Sequence, residues 1–304
     1  MIEPLPGHVS DWLKAAFGSC NAEVSALLTG VPNVHEPTLD MTFISGLARY
    51  QTPTKLSSGW VVRIDTHFLG GASRLTGRWE IADIGLLVMI RRGGRIERTK
   101  VGLLQSKRLY PNEQEVDEDR TLDNLVGFGR LHESDAWWSS VIEERQFTFG
   151  ESSRYRALNV GEDQYNRIAD YERRHSIPVY YLLYNPWAIP QATEVPASEN
   201  GQLVGEPKVG SRVVPAVVLR AAMVGRTVGH RPSYSELEKM LAVPFDSEEH
   251  RAGWRLEDFV VDLLLGCTAG YVASGETDAG LEAVFYRRNN PISAAIAITV
   301  DAPD

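Results

Sequence analysis

Apolar residues recur at helical spacing near the N-terminus. Trp12, Leu13, Ala16, Phe17, Val24, Leu27 and Leu28 predict a helix over residues 9–29, with Gly18 inside it and Gly30 as its stop. Leu39, Phe43, Ile44 and Leu47 predict a second helix over residues 38–50. After the turn-rich segment TPTKLSSG the period changes to two. Residues 60–69 (WVVRIDTHFL), 79–90 (WEIADIGLLVMI) and 95–107 read as strands, and Gly93-Gly94 marks a hairpin between the last two. Three sequential strands with short loops predict an antiparallel meander. Residues 163–175 return to helix, with Tyr165, Ile168, Ala169 and Tyr171 on the apolar side. IPVYYLLY, residues 177–184, is apolar on both faces, which suits a strand covered on both sides. Residues 190–210, rich in Pro, Gly, Ser and Glu, read as a linker or long loop. Beyond them residues 213–219 are strand-like. Residues 233–241 and 256–265 are helical, and Ser233 with Glu236 forms a capping box. PISAAIAITV, residues 291–300, closes as a strand. The predicted class is α/β (α+β). A core over residues 1–190 precedes a linker at 191–210 and a C-terminal α/β extension at 211–304.

Composition narrows the class little. The 304 residues are 43% hydrophobic and 23% charged, ordinary for a globular protein. No apolar run approaches the roughly 18 residues that span a bilayer, so no membrane association is expected. Glu3 and two prolines stand where a signal peptide wants positive charge, and a cytoplasmic location is expected. Cys20 and Cys267 form no CxxC pair, which disfavours a Cys/His zinc site. The net charge of -9 argues against a surface coated in phosphate-binding charge, but not against a local basic strip.

Candidate chemistry lies at the end of one strand. In VGLLQSKRLYP (101–111), alternation puts Val101, Leu103, Gln105 and Lys107 on one face. An ammonium at the end of an apolar strand needs a partner or solvent. Asp83 is the only acid within the preceding apolar run. Which acid meets Gln105 and Lys107 depends on register. A two-residue loop at Gly93-Gly94 sets Glu80 opposite Lys107, whereas a three-residue loop, or a bulge further down the strands, sets Asp83 opposite Gln105. Asp83 leads straight into the apolar strand and is the favoured acid. A carboxylate and an amide oxygen suit a hard divalent cation. Lys107 would orient a water or stabilise developing negative charge.

An acid at the start of one strand, a hairpin and then (Asp/Glu/Gln)-x-Lys resembles the core of the PD-(D/E)xK nuclease superfamily. "DIG" followed by "LLQSKRLY" is similar to its Mrr-like restriction endonuclease branch, in which glutamine commonly replaces the central acid. The resemblance covers residues 35–186. It implies a restriction-endonuclease-like mixed sheet flanked by helices and Mg²⁺- or Mn²⁺-dependent hydrolysis of DNA phosphodiesters. Asp83, Gln105 and Lys107 would be catalytic. Asp83 and Gln105 would hold the metal, with Glu36 or Glu80 completing its shell. It also implies a place in prokaryotic restriction or anti-phage defence, beside other subunits.

Arg91, Arg92, Arg95, Arg98 and Lys100 make the hairpin basic, and with Arg108 they would grip DNA. A charged, solubilising hairpin end reads equally well. Likewise Gln105 and Lys107 read as a strand end reaching solvent, with Lys107 paired to Glu80. A catalytically weak nuclease-like domain used for binding or assembly is the second functional reading. The C-terminal third is left three roles: dimerising the chain into a homo-oligomer, docking a partner, or completing the core. The chain contains no Walker A loop, no GxSxG elbow and no dinucleotide fingerprint.

Overall fold

A computed structural model describes residues 5–69, 81–113, 145–195, 203–245, 253–266, 268–275, 278–286 and 291–303. Helices α1 (Gly7–Gly30) and α2 (Glu36–Leu47) lead into strands β1 (Thr54–Lys55), β2 (Val61–Phe68), β3 (Ala82–Arg92) and β4 (Arg95–Arg108). Strand β5 (Arg145–Phe149), helix α3 (Asp163–His175), and strands β6 (Val179–Tyr184), β7 (Gln191–Val195) and β8 (Arg212–Pro215) follow. The chain continues with α4 (Ala216–Ala222), α5 (Tyr234–Phe245), β9 (Trp254–Arg255) and α6 (Leu256–Asp258), which runs into a π-helical stretch, Phe259–Leu265. Strand β10 (Tyr271–Ala273), helix α7 (Ala279–Leu281) and strand β11 (Ile292–Ala302) complete it.

The large sheet is mixed and has the order β1-β2-β11-β3-β4-β6-β8-β9, with β10 beside β4. The expected meander does not form. β11 lies between β2 and β3, antiparallel to the first and parallel to the second. Its sequence ISAAIAITV carries no charge over nine residues, and Ile292, Ile296, Ile298 and Val300 are buried. An uncharged strand suits a central place, where neighbouring strands pair with both of its edges. Segment 211–304, expected as an extension, thus supplies four strands to the same sheet. Part of the expected linker is the ordered strand β7, paired with β5.

On one face of β2, β11 and β3 the side chains of Val62, Ile64, Ile84, Leu86, Val88, Ile296 and Ile298 are buried in the core that also contains Leu13, Phe17 and Phe43 of α1 and α2. On the other face Arg63, Asp65, Leu87, Met89 and Ala297 are only half-buried. All six residues of β6 are buried, as its unbroken apolar run predicts. Residues 213–219 are strand only as far as Pro215, which has no amide proton for the ladder and serves instead as the N-cap of α4. Half the predicted capping box is present: the Glu236 amide donates to Ser233 Oγ at 3.2 Å. The Glu236 carboxylate turns instead to His230 and Arg226.

The hairpin settles the register. Its turn is the two residues Gly93-Gly94, both at positive φ (54° and 74°), as the twist-compatible hairpin turn requires. Arg92 faces Arg95 and Arg91 faces Ile96. A bulge between Ile90 and Arg91 then inserts one residue, so that Ile90 faces Arg98 and Ile84 faces Leu104. The turn has the shorter length, and the bulge gives the register that brings Asp83 to Gln105.

Candidate active site

The site forms where β3 leaves β4. Their last ladder pair is Ile84 with Leu104. Beyond it, amides of β4 lose their strand partner, and a buried amide without a partner costs about 1–3 kcal/mol. Carboxylates take the place of the strand. Asp83 Oδ2 accepts from the Ser106 amide at 2.7 Å and also from Gln105 Nε2. Glu36 Oε2 accepts from the Arg108 amide at 3.0 Å, and its Oε1 accepts from Lys107 Nζ at 3.1 Å. Ser106 Oγ and Tyr184 OH, the latter at 2.7 Å, both donate to Asp40 Oδ1. Asp40 stands one helical turn after Glu36 on α2, so both carboxylates face the end of β4.

Asp83, Gln105, Lys107 and Glu36, nominated from the sequence, therefore converge. Glu80 lies outside the described residues. Asp40, Ser106 and Tyr184 were not nominated. The predicted helix starts at residue 38, so the i, i+4 pairing of Glu36 with Asp40 appears only because α2 begins at Glu36. Nothing in the sequence pointed to Tyr184, whose register beside Arg108 depends on the parallel pairing of β4 with β6.

Gln105 and Lys107 are 1% and 4% exposed, so neither is a strand end reaching solvent. Lys107 pairs with Glu36. Burial pushes the Asp40 carboxyl up to about 7, and the negative charge of Glu36 adds to this; the hydrogen bonds from Ser106 and Tyr184 and the charge of Lys107 oppose it. Burial, with the charge of Asp40, raises the Tyr184 phenol well above its ordinary value. Gln105 Oε1 is buried and has no hydrogen-bond partner, because the amide nitrogen is turned to Asp83. Among the described residues no three His, Cys, Asp or Glu side chains form a ready-made metal cage. Asp83, Glu36 and the orphaned Gln105 oxygen are nonetheless hard oxygen donors of the kind that Mg²⁺ or Mn²⁺ takes.

The nominated DNA-binding residues divide. Arg91, Arg92, Arg95 and Arg98 lie at the hairpin, far along β4 from the carboxylates. Lys100 and Arg108 are corrections, because both are fully buried. Lys100 Nζ donates to the carbonyls of Leu264 and Ala269, holding the end of the π-helical stretch. Arg108 donates to Pro32 O at 2.9 Å and lies 3.8 Å over the Tyr110 ring. Apolar strand neighbours had exposed neither residue's burial in the sequence, since both sit beside charged or polar residues. Comparison with protein-family models, curated proteins and solved structures gave no match for this chain. No helix among the described residues is long and apolar enough to cross a membrane.

Proposed function

We propose that the protein is a metal-dependent nuclease that hydrolyses phosphodiester bonds of DNA, with a restriction-endonuclease-like core, acting in prokaryotic restriction or anti-phage defence beside other subunits. One observation carries the reading: Asp83 meets Gln105 across a splayed strand pair, with Lys107 and Glu36 alongside and a buried amide oxygen left without a donor. Asp83, Gln105 and Glu36 would hold Mg²⁺ or Mn²⁺. Such an ion, when bound, supplies a water of lowered pKa and neutralises charge on a phosphate. Lys107 Nζ presents a fixed positive charge, aimed by Glu36, where negative charge develops during hydrolysis. Purified protein should nick supercoiled DNA with Mg²⁺ or Mn²⁺ and stop with EDTA. Lys107→Ala and Asp83→Asn should each lower the rate at least about 100-fold. Undiminished cleavage by either folded variant overturns the mechanism.

A second reading is a catalytically weak nuclease-like module for binding or assembly. It is favoured by the closure of the cluster, in which Lys107 and Asp83 already have protein partners. Calorimetric titration with Mn²⁺, alone and with DNA, separates the two: heat of binding supports the nuclease, and none supports the module.

A further inference from the structure

A second polar concavity, of about 680 Å³, lies at the hairpin end of the sheet. Its floor is one row across five strands. Arg63 pairs with Thr299, Thr299 with Met89, Met89 with Thr99 and Thr99 with Ala273, so these side chains share one face. Arg63, Arg91, Arg95 and Arg98 line the cavity, and Glu97 is the one acid among its described lining residues. Some of this charge is answered locally. Arg63 contacts Asp65 at 2.7 Å, Arg91 lies 3.4 Å from Asp301, and Glu97 is taken by Arg92 at 3.2 Å. The four lining guanidiniums outnumber the acids Glu97, Asp65 and Asp301.

The floor supplies an independent sign of a ligand. Thr299 is 3% exposed, yet its hydroxyl has no hydrogen-bond partner. A buried hydroxyl without a partner is costly, and Thr299 is one of the residues that line the basic cavity. Along β4, Thr99 stands six positions before Gln105, roughly 20 Å at about 3.3 Å per residue, so this cavity is separate from the carboxylate cluster.

We propose that this cavity binds a small phosphate-bearing molecule of nucleotide size. Guanidinium forks match phosphate oxygens in pairs. The buried Thr299 hydroxyl donates to an oxygen that enters the floor, and Met89 and Ile96 offer apolar contact to the uncharged part. A small ligand fits better than a polymer backbone. A backbone running over the arginine tips leaves the hydroxyl beneath unused, and among the described residues no aromatic ring lines the cavity to stack a series of bases. The site does not depend on the nuclease reading.

Calorimetry on the full chain, with inorganic pyrophosphate, ADP and a 20-base-pair duplex as separate probes, tests the proposal. Pyrophosphate or ADP should bind wild type in the micromolar to low-millimolar range. Arg95→Ala and Thr299→Val should each weaken that binding about tenfold. Thr299→Val is nearly isosteric and should leave the unliganded melting temperature unchanged or higher. Lys107→Ala should bind the same probes unchanged, which keeps failure here distinct from failure of the nuclease mechanism. Absence of pyrophosphate and ADP binding, or binding that ignores both cavity substitutions, overturns the proposal. Arg95-dependent binding of the duplex alone overturns it too, in favour of a nucleic-acid anchor.

Discussion

Two residues at the candidate site hold most of its unspent chemistry. The Asp40 carboxyl titrates near 7 in the folded chain against 3.8 in its ordinary state. The folded state therefore binds this proton more tightly than the unfolded state. Its stabilising contribution is fully present below about pH 4 and is lost as pH rises through 7. Asp40→Asn mimics the protonated form and still accepts from Tyr184 and Ser106. Wild-type stability relative to this variant should fall between pH 4 and 7, as read from urea midpoints at each pH; a constant difference across that window refutes the raised pKa. Gln105 makes the complementary case. Gln105→Glu exchanges an amide donor for a carboxylate against Asp83, so without metal it should cost about 1–3 kcal/mol. If the orphaned oxygen is a cation ligand, millimolar Mn²⁺ should raise the melting temperature of this variant more than that of wild type. Equal shifts in the two proteins count against the metal. Asp83, Gln105 and Lys107 were legible because alternation and register depend on local sequence. Asp40 and Tyr184 were not, because their meeting depends on where α2 and β6 dock.

At the scale of the element, the β3–β4 hairpin sets the register of the candidate site. The Gly93-Gly94 turn alone would oppose Asp83 to Leu104, and the bulge near Ile90 shifts the lower ladder by one residue. The sequence favours Asp83, which leads straight into the apolar strand, but it does not mark the bulge itself, which sits among charged residues without a glycine. The turn itself is testable. Gly94 has φ of 74°, and a Cβ added there meets nothing within 4 Å, so any cost is conformational rather than steric contact with neighbours. Gly94→Ala should destabilise by about 1–2 kcal/mol. Gly93→Asn should cost much less, because Asn-Gly suits the same turn. Thermal unfolding of the two variants compares them directly, and equal melting temperatures count against the turn geometry.

For the whole molecule, the sheet is closed by its last strand. Helices, strands and the both-faced apolar β6 were readable from periodicity, and ISAAIAITV carried the same uncharged signature as β6. What periodicity does not contain is which strands a central strand separates. Here β11 divides β2 from β3 and pairs along its length with both. Residues 1–190 therefore lack the centre of their own sheet. Ile292, Ile296, Ile298 and Val300 are each at most 3% exposed. At about 1.5–3 kcal/mol for each fully buried aliphatic side chain, they contribute roughly 6–12 kcal/mol. That is comparable to the roughly 5–15 kcal/mol total stability of an ordinary domain. Removing them would also expose the facing edges of β2 and β3, an invitation to aggregation. A fragment ending at residue 190, or the chain cut after residue 290, should show no cooperative thermal transition and should be digested by protease much faster than the full chain. A fragment 1–190 that melts cooperatively would mean that β2 and β3 can pair directly and that β11 is an addition to an independent core. The same topology puts the candidate active site under the control of the C-terminus. Ala82, one residue before Asp83, is held by Ile292 rather than by β4. It is this pairing to β11 that keeps β3 in place while Asp83 turns its carboxylate to the free amide of Ser106.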